Sequence, residues 1–578
     1  MQTFIKTCAT ELFGDNFIFR KGQLEAIESI INNVMHNIKQ TVLEAPTGSG
    51  KSVIGMIAAY VLWKKYGKKS YILTSDLSLY AQYENDIKKL NVNCFGCVKG
   101  KENYICDDNG CKVSQSTCAL QGLSVKALLK NPKFSYRFKC VHSCQYIKDY
   151  AKAVFSPITL MTYQFYFIQR NYVEDGIMFG KNKNFPERDL VICDECHNIC
   201  SICQTHFAPT IDIKKPYWMD TLDNYSHMPK RDYERISIVN DILSCTNNED
   251  LFGYISSYAS LIEHYVRINE SIRSKLANKK RKLSKYDKAA LLAGNIARQI
   301  HCKFEDILDF ATHDNTNFFV KTQTDDAITI NYVFDNDMLI KYFHSKSKCE
   351  LLMSATIGDF NEYAKLTGLD VQTFKSISIP STFDFAKSPI YFTVENKMSY
   401  AKKDYSMKNI AKEVDEICKD NKDVKGIIQT GSYANSELLK DYLSNDVLRR
   451  CLFYEGSNEK NDMIKLFMND YDGMSNHILI GPTLLEGLNF PNDMCRFQIC
   501  IKIPYAHLGN EYVRKKKELV EGWYKYDVLN KICQGIGRGI RHEKDWCKTY
   551  ILDGCIQYLL EDLDKMNTLH DRFYKINV

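Results

Sequence analysis

The sequence predicts an α/β protein built on two parallel-sheet domains, the first interrupted by two insertions. Three observations carry this. An apolar strand at Thr41–Glu44 runs through a glycine loop into an apolar helix from Val53 to Trp63. Strand-then-helix alternation recurs to about residue 90 and again after about residue 380. Between them, a cysteine-rich, loop-like stretch from Asn93 to Tyr146 and a polar, helical one from Ser201 to Phe343 break the pattern.

Taken in order, the strands before the first break are Thr41–Glu44 and Ser70–Ser75, with Ile158–Tyr163 and Asp189–Glu195 following it. The second break contains amphipathic helices at Asp250–Ile268 and Asp287–Ala311 and almost no strand signal. Cys349–Thr356 returns to a buried strand, and a second series follows at Lys425–Ser432, His477–Pro482, Phe497–Pro504 and Thr549–Asp553. The expected division is therefore 1–92, 147–200 and 344–385 for the first sheet domain, 93–146 and 201–343 for its insertions, and 386–578 for the second.

At 578 residues the chain exceeds what one core serves. With 45% hydrophobic and 25% charged residues, and no apolar run near the roughly 20 residues that span a bilayer, it reads as soluble and without a membrane anchor. The first residues lack the layout of a secretory signal, so a reducing, intracellular compartment is expected and the 22 cysteines are thiols or metal ligands. A net charge of +6 neither demands nor excludes nucleic acid. The basic runs Lys279–Lys282 and Arg514–Lys517 suit either a phosphate backbone or a solvated face.

The glycine loop reads Ala45, Pro46, Thr47, Gly48, Ser49, Gly50, Lys51, Ser52. Glycines let backbone N–H groups turn toward phosphate oxygens, Lys51 can reach the β- and γ-phosphates, and the Ser52 hydroxyl can join a magnesium shell. Ala45 stands where the strict pattern has a first glycine, and a small residue still fits that turn. The strand ending at Asp194 and Glu195 pairs two carboxylates, suited to hold magnesium through Asp194 and orient an attacking water through Glu195. Near the C-terminus Gln534 precedes Arg538 and Arg541, whose three-residue spacing puts both guanidinium groups on one helix face, able to meet a γ-phosphate together. The alternative is a helix with surface arginines, which Gly535, Gly537 and Gly539 disfavour.

This ordered set resembles the superfamily 2 helicases, and the box Asp194, Glu195, Cys196, His197, Asn198 is similar to that of the XPD/DinG family. The resemblance implies two RecA-like motor domains closing on ATP and Mg2+. It implies adenine reading by Phe19–Gln23, which includes Arg20 and Gln23. It also implies coupling of hydrolysis to movement through His197, Ser354, Ala355, Thr356, Glu486, Gly487 and Asn489. DNA contacts would come from Thr74, Thr162, Tyr163, Ser432 and Tyr433. Asn489 stands where the family usually has aspartate, which puts that coupling in question.

The family's iron–sulfur insertion is resembled at Lys99–Cys106 and at Cys144–Tyr146, which implies a 4Fe-4S cluster on Cys106, Cys118, Cys140 and Cys144, with Cys111 spare. Zinc is the alternative, suggested by the two-residue gap between Cys94 and Cys97. The helical insertion resembles the family's arch by position alone. The implied function is an ATP-dependent helicase moving 5′ to 3′ on single-stranded or forked DNA. RNA or RNA–DNA hybrid unwinding, and a non-catalytic clamp with a vestigial ATP site, stay open at this point.

Overall fold

The computed structural model describes residues 1–46, 48–120, 125, 128, 139–173, 185–277, 283–311, 316–381, 384–398, 403–469, 475–482, 484, 492–536, 545–565 and 573–575. The first sheet begins with β1 (Gln40–Glu44), β2 (Ser70–Thr74), β3 (Phe95–Cys97), β4 (Ile158–Thr162) and β5 (Leu190–Asp194). The chain then leaves it, forms β6 (Thr210–Asp212), β7 (Phe319–Gln323) and β8 (Ala327–Tyr332), and returns with β9 (Glu350–Ser354) and β10 (Lys375–Ser378). The order across the sheet is β10-β1-β9-β5-β2-β4-β3, with every neighbour parallel.

Helices cover both faces, so the central strands read as continuous apolar runs rather than alternating ones. Val42, Val191 and Leu352 go to one core, and Leu43, Ile192, Leu351 and Met353 to the other. The connection from β1 to β2 is the helix Lys51–Tyr66, buried from Ile54 to Leu62. Gly55 lets it lie close to the sheet. A Cβ there would come within 3.2 Å of Met353 Cε and 3.3 Å of Ile192 Cγ2.

The second sheet comprises β11 (Ile390–Phe392), β12 (Gly426–Gln429), β13 (Cys451–Phe453), β14 (Ile478–Gly481), β15 (Phe497–Cys500), β16 (Lys548–Ile551) and β17 (Phe573–Lys575). It runs β13-β14-β12-β15-β16-β11-β17, again all parallel. Two parallel α/β sheets are the architecture the sequence predicts. Among the described residues no helix is long and apolar enough to cross a membrane.

Two expectations need correction. The stretch 201–343 is not strand-free, because β6, β8 and β7 form an antiparallel sheet beside the helical hairpin Asn248–Ala277 and Lys285–Phe310. These strands are three to six residues long, and the inward alternation of Ile328, Ile330 and Tyr332 is brief beside the long helical periods around it. The first sheet also extends past residue 93, since β3 pairs with β4. Cys94 and Cys97 therefore belong to the edge of that sheet rather than to a zinc ribbon, and burial pushes both thiols up to about 12.

Register positions the chemistry. Glu44 lies opposite Ser354, and Asp194 opposite Met353, so the carboxyl ends of β1, β9 and β5 share one edge. In parallel α/β sheets that edge is where ligands bind.

Candidate functional site

Beyond β1 the chain turns sharply. Ala45 N–H donates to Ser354 O at 2.9 Å, and Gly48 and Gly50 take left-handed φ angles of 81° and 78° before the helix begins at Lys51. Left-handed backbone favours glycine, and the turn aims the helix N-terminus, with its unpaired N–H groups, at the space above the sheet edge. Two side chains brace the loop from the start of helix Gln23–Met35. Arg20 donates to Gly48 O, and Gln23 Nε2 donates to Ser49 O at 2.6 Å. Arg20 N–H in turn donates to Gln23 Oε1 at 2.8 Å, so both residues expected to read the base are tied to the loop itself. Thr47 lies outside the described residues.

Lys51 Nζ stands 3.6 Å from Glu195 Oε1. Glu195 holds φ 50° and ψ 47°, a left-handed conformation that costs a non-glycine residue about 1–3 kcal/mol and turns its carboxylate out of the strand direction. Its neighbour Asp194 is buried. Asp194 Oδ2 accepts from Tyr83 OH at 2.8 Å, Oδ1 from Glu195 N–H at 2.9 Å, and its carbonyl from Tyr163 OH at 3.1 Å. Burial, then the adjacent Glu195, pushes the Asp194 carboxyl up to about 6 against the pull of Lys51. Two carboxylates crowded beside one ammonium form a place short of positive charge, which is the electrostatic demand of a divalent-cation site.

His197 Nδ1 lies 3.3 Å from Glu195 Oε2 and 2.9 Å from Ser354 Oγ. Ser354 Oγ also accepts from Thr356 N–H at 3.2 Å. Glu195, just past β5, is thus wired to the turn after β9. Gln534 is half-buried in helix Trp523–Ile536, while Arg538, Arg541, Glu486, Gly487 and Asn489 lie outside the described residues.

Two family models match the chain: a helicase C-terminal domain over residues 416–558, and a type III restriction enzyme res subunit over residues 16–220. A 3′-5′ exonuclease DinG of Staphylococcus aureus is 22% identical over 617 aligned positions, covering 91% of this chain and 67% of that one. An ATP-dependent DNA helicase CHL1 of Vanderwaltozyma polyspora is 32% identical over 125 residues, 18% of this chain. The match spans 15% of that relative's length, well under two thirds. Among solved structures, an XPD helicase superposes with a TM-score of 0.60 at 16% identity, covering 96% of this chain and 99% of that one. The S. tokodaii Xpd4 structure gives 0.57 at 14% identity, covering 96% and 99%. The chain carries the sequence signature of helicase domains at both ends and is similar in fold to XPD-type helicases.

In this XPD/DinG-like chain the residues expected to touch DNA divide. Tyr433 is 40% exposed at the head of helix Tyr433–Tyr442, which Ser432 caps by accepting from Asn435 N–H. Thr74 and Tyr163 are fully buried; Thr74 Oγ1 donates to Asp76 O, and Tyr163 OH is spent on Asp194. Tyr163 thereby supports the site through Asp194, and Thr74 braces the turn into helix Leu77–Lys89. Thr162 is buried too and caps helix Tyr163–Phe167 through Phe165 N–H.

The cysteine segment folds as short turns joined by an Ile105–Lys112 bridge. Burial first, then Cys106, Cys118 and Cys144, raises the Cys140 thiol to about 12, so the other three expected ligands lie within electrostatic reach of Cys140. Cys111 turns instead to Asn109 and the Lys112 carbonyl. Thiols are the donor chemistry that an iron–sulfur centre requires. Among the described residues, no three His, Cys, Asp or Glu side chains are placed to hold a metal ion.

Two residues that support the site carry no sequence signal. Tyr83 is one inward position of an ordinary amphipathic helix, Leu77–Lys89, and Glu44 reads as the last residue of a strand. Their roles exist only once β1, β5 and β9 are side by side.

Proposed function

We propose that this chain is an ATP-driven motor that moves 5′ to 3′ along single-stranded DNA and opens the duplex ahead of it, hydrolysing ATP between its two sheet domains. The observation that carries this is the Lys51–Glu195 pair at 3.6 Å, beside buried Asp194, at the shared ends of β1, β9 and β5. Lys51 would hold the β- and γ-phosphates over the loop amides, Ser52 and Asp194 would ligate magnesium, and Glu195 would orient the attacking water. Magnesium supplies charge neutralisation of the phosphates. Arg538 and Arg541 would enter from the second domain, with Gln534 on the same helix. The DNA helicase names of relatives and the exposed Tyr433, a stacking platform for a base, favour a single strand lying across both domains.

Cys106, Cys118, Cys140 and Cys144 would hold a 4Fe-4S cluster, which would give a polar, turn-rich segment the cross-links it lacks. The test of the motor is ATP hydrolysis with and without a single-stranded oligonucleotide, followed by strand displacement on tailed duplexes. Turnover is expected to rise with the oligonucleotide and unwinding to require a 5′ tail. Lys51→Ala should abolish turnover and leave DNA binding in place. A wild type without turnover overturns the reading, and preference for an RNA strand replaces its substrate.

A further inference from the structure

The turn that follows β9 is held at one residue from two sides. Glu44, at the end of the strand that feeds the phosphate loop, accepts from Ile357 N–H at 2.8 Å and from Gly358 N–H at 2.9 Å, both through Oε1. Tyr526, in helix Trp523–Ile536 of the second domain, donates its hydroxyl to Ile357 O at 2.7 Å. The two faces of one residue's backbone are therefore gripped by the two domains.

Neither grip resembles ordinary core packing. Glu44 is a buried carboxylate whose hydrogen-bond partners are these two N–H groups, and burial raises its pKa while they lower it. A buried acid kept for two backbone amides is costly unless the amides need a fixed position. Tyr526 lies within electrostatic reach of Glu44, Cys196 and Cys200, and its hydroxyl donates to Ile357 O. That same helix carries Gln534, four residues before Arg538 in the sequence. At the other end of the turn Ser354 is tied to His197, and through it to Glu195.

We propose that Glu44 and Tyr526 are positioning residues that clamp Ile357 between the domains, so that the turn transmits the state of the phosphate loop to the helix bearing Gln534. The proposal rests on the motor reading above. It is specific about direction: movement of the second domain must break or remake the Tyr526–Ile357 bond, while the Glu44 bonds stay within the first domain.

The experiment compares Tyr526→Phe, Glu44→Gln and Glu44→Ala with the wild type in steady-state ATP turnover, with and without single-stranded oligonucleotide. Tyr526→Phe keeps the ring and removes only the donor. It is expected to leave the unstimulated rate and the KM for ATP within about twofold, and to cut the oligonucleotide-stimulated kcat by about fivefold, the scale of one hydrogen bond. Glu44→Gln retains the acceptor oxygen and should behave as wild type, whereas Glu44→Ala should reproduce the loss of stimulation. Combining Glu44→Ala with Tyr526→Phe should add little to either alone, because both act on one turn. Unchanged stimulation in Tyr526→Phe, or a KM effect without a kcat effect, overturns the clamp while leaving the motor reading intact. A wild type that does not turn over ATP removes both. Thermal midpoints of the variants separate misfolding from lost coupling, and Tyr526→Phe decides the matter if Glu44→Ala does not fold.

Discussion

Glu413 sits in helix Lys403–Asp420 with Oε1 accepting from Asn396 Nδ2 at 2.6 Å and Oε2 buried without a partner. Burial first, and then Glu395, pushes its carboxyl up to about 7 from an ordinary value of 4.5. Between those values the folded chain keeps a proton the unfolded chain has lost, so the contribution of this group to stability falls as pH rises from about 4.5 through 7. Glu413→Gln removes the penalty. Its thermal midpoint is expected to rise by about 2–4 °C at pH 8, for a domain of this size, and to match wild type at pH 4.5. Calorimetry at both pH values checks this, and an equal shift at each would mean that packing rather than ionisation is responsible. At this scale the sequence is legible where chemistry dictates residue type. Lys51, Asp194 and Glu195 announce themselves because phosphate and magnesium tolerate few substitutes. Glu44, Tyr83 and Tyr526 do not, since any helix or strand can carry a glutamate or tyrosine and only the register of β1, β9 and β5 gives them work.

Helix Glu511–Leu519 shows how an element can mislead when its residues are taken as a run. Arg514–Lys517 suggests a phosphate track or a solvated face, yet the helical period turns one of the four inward. Lys516 is buried, pairs with the buried Asp335 of helix Asp335–Tyr342 and lies 4.6 Å from the centre of the Trp523 ring. Tyr512, one turn earlier, brings its hydroxyl within 3.4 Å of the same carboxylate. Burial works against the ammonium and Asp335 more than restores it, so the Lys516 pKa is raised. This pair joins the second domain to the base of the helical insertion. Lys516→Ala strands a buried carboxylate, so a loss of about 3–5 kcal/mol is expected in urea unfolding. Lys516→Met combined with Asp335→Asn should recover much of it. A loss under about 1 kcal/mol in the single variant would mean that Asp335 finds water and that the pair is no latch. The buried central strands are the legible elements, because a parallel sheet covered on both faces needs unbroken apolar runs. β10 is exposed along most of its length, β6 has three residues, and β8 is outweighed by its helical neighbours, so each escapes a reading by periodicity.

For the molecule as a whole, the informative fact is that one apolar core runs from a face of the first sheet through the cysteine segment into the helical insertion. Val42, Tyr71, Cys106, Leu120, Tyr146, Phe207, Tyr258 and Phe304 all belong to it. Helix Thr117–Leu120 packs against helix Lys285–Phe310, so the two insertions, separate in sequence, meet in space. Lys101 and Arg273, one from each, carry depressed pKa values, Lys101 through burial and the charge of Arg273, and Arg273 through burial and the charge of Arg298. The catalytic edge, by contrast, is built from β1, β9 and β5 with Tyr83 and His197, and no cysteine ligand touches Lys51, Asp194 or Glu195 in the bonds that define it. Loss of the proposed metal centre should therefore damage strand separation, where the joined insertions would act, more than nucleotide turnover. Cys106→Ser is expected to bleach the brown colour of anaerobically purified protein and to lower unwinding by about tenfold or more, with basal ATPase within about twofold of wild type. Absorption spectra and metal analysis of freshly isolated protein, run beside both assays, check it. A colourless wild type holding stoichiometric zinc reverses the metal assignment, and an ATPase that falls in step with unwinding shows instead that the cysteine segment supports the first sheet directly.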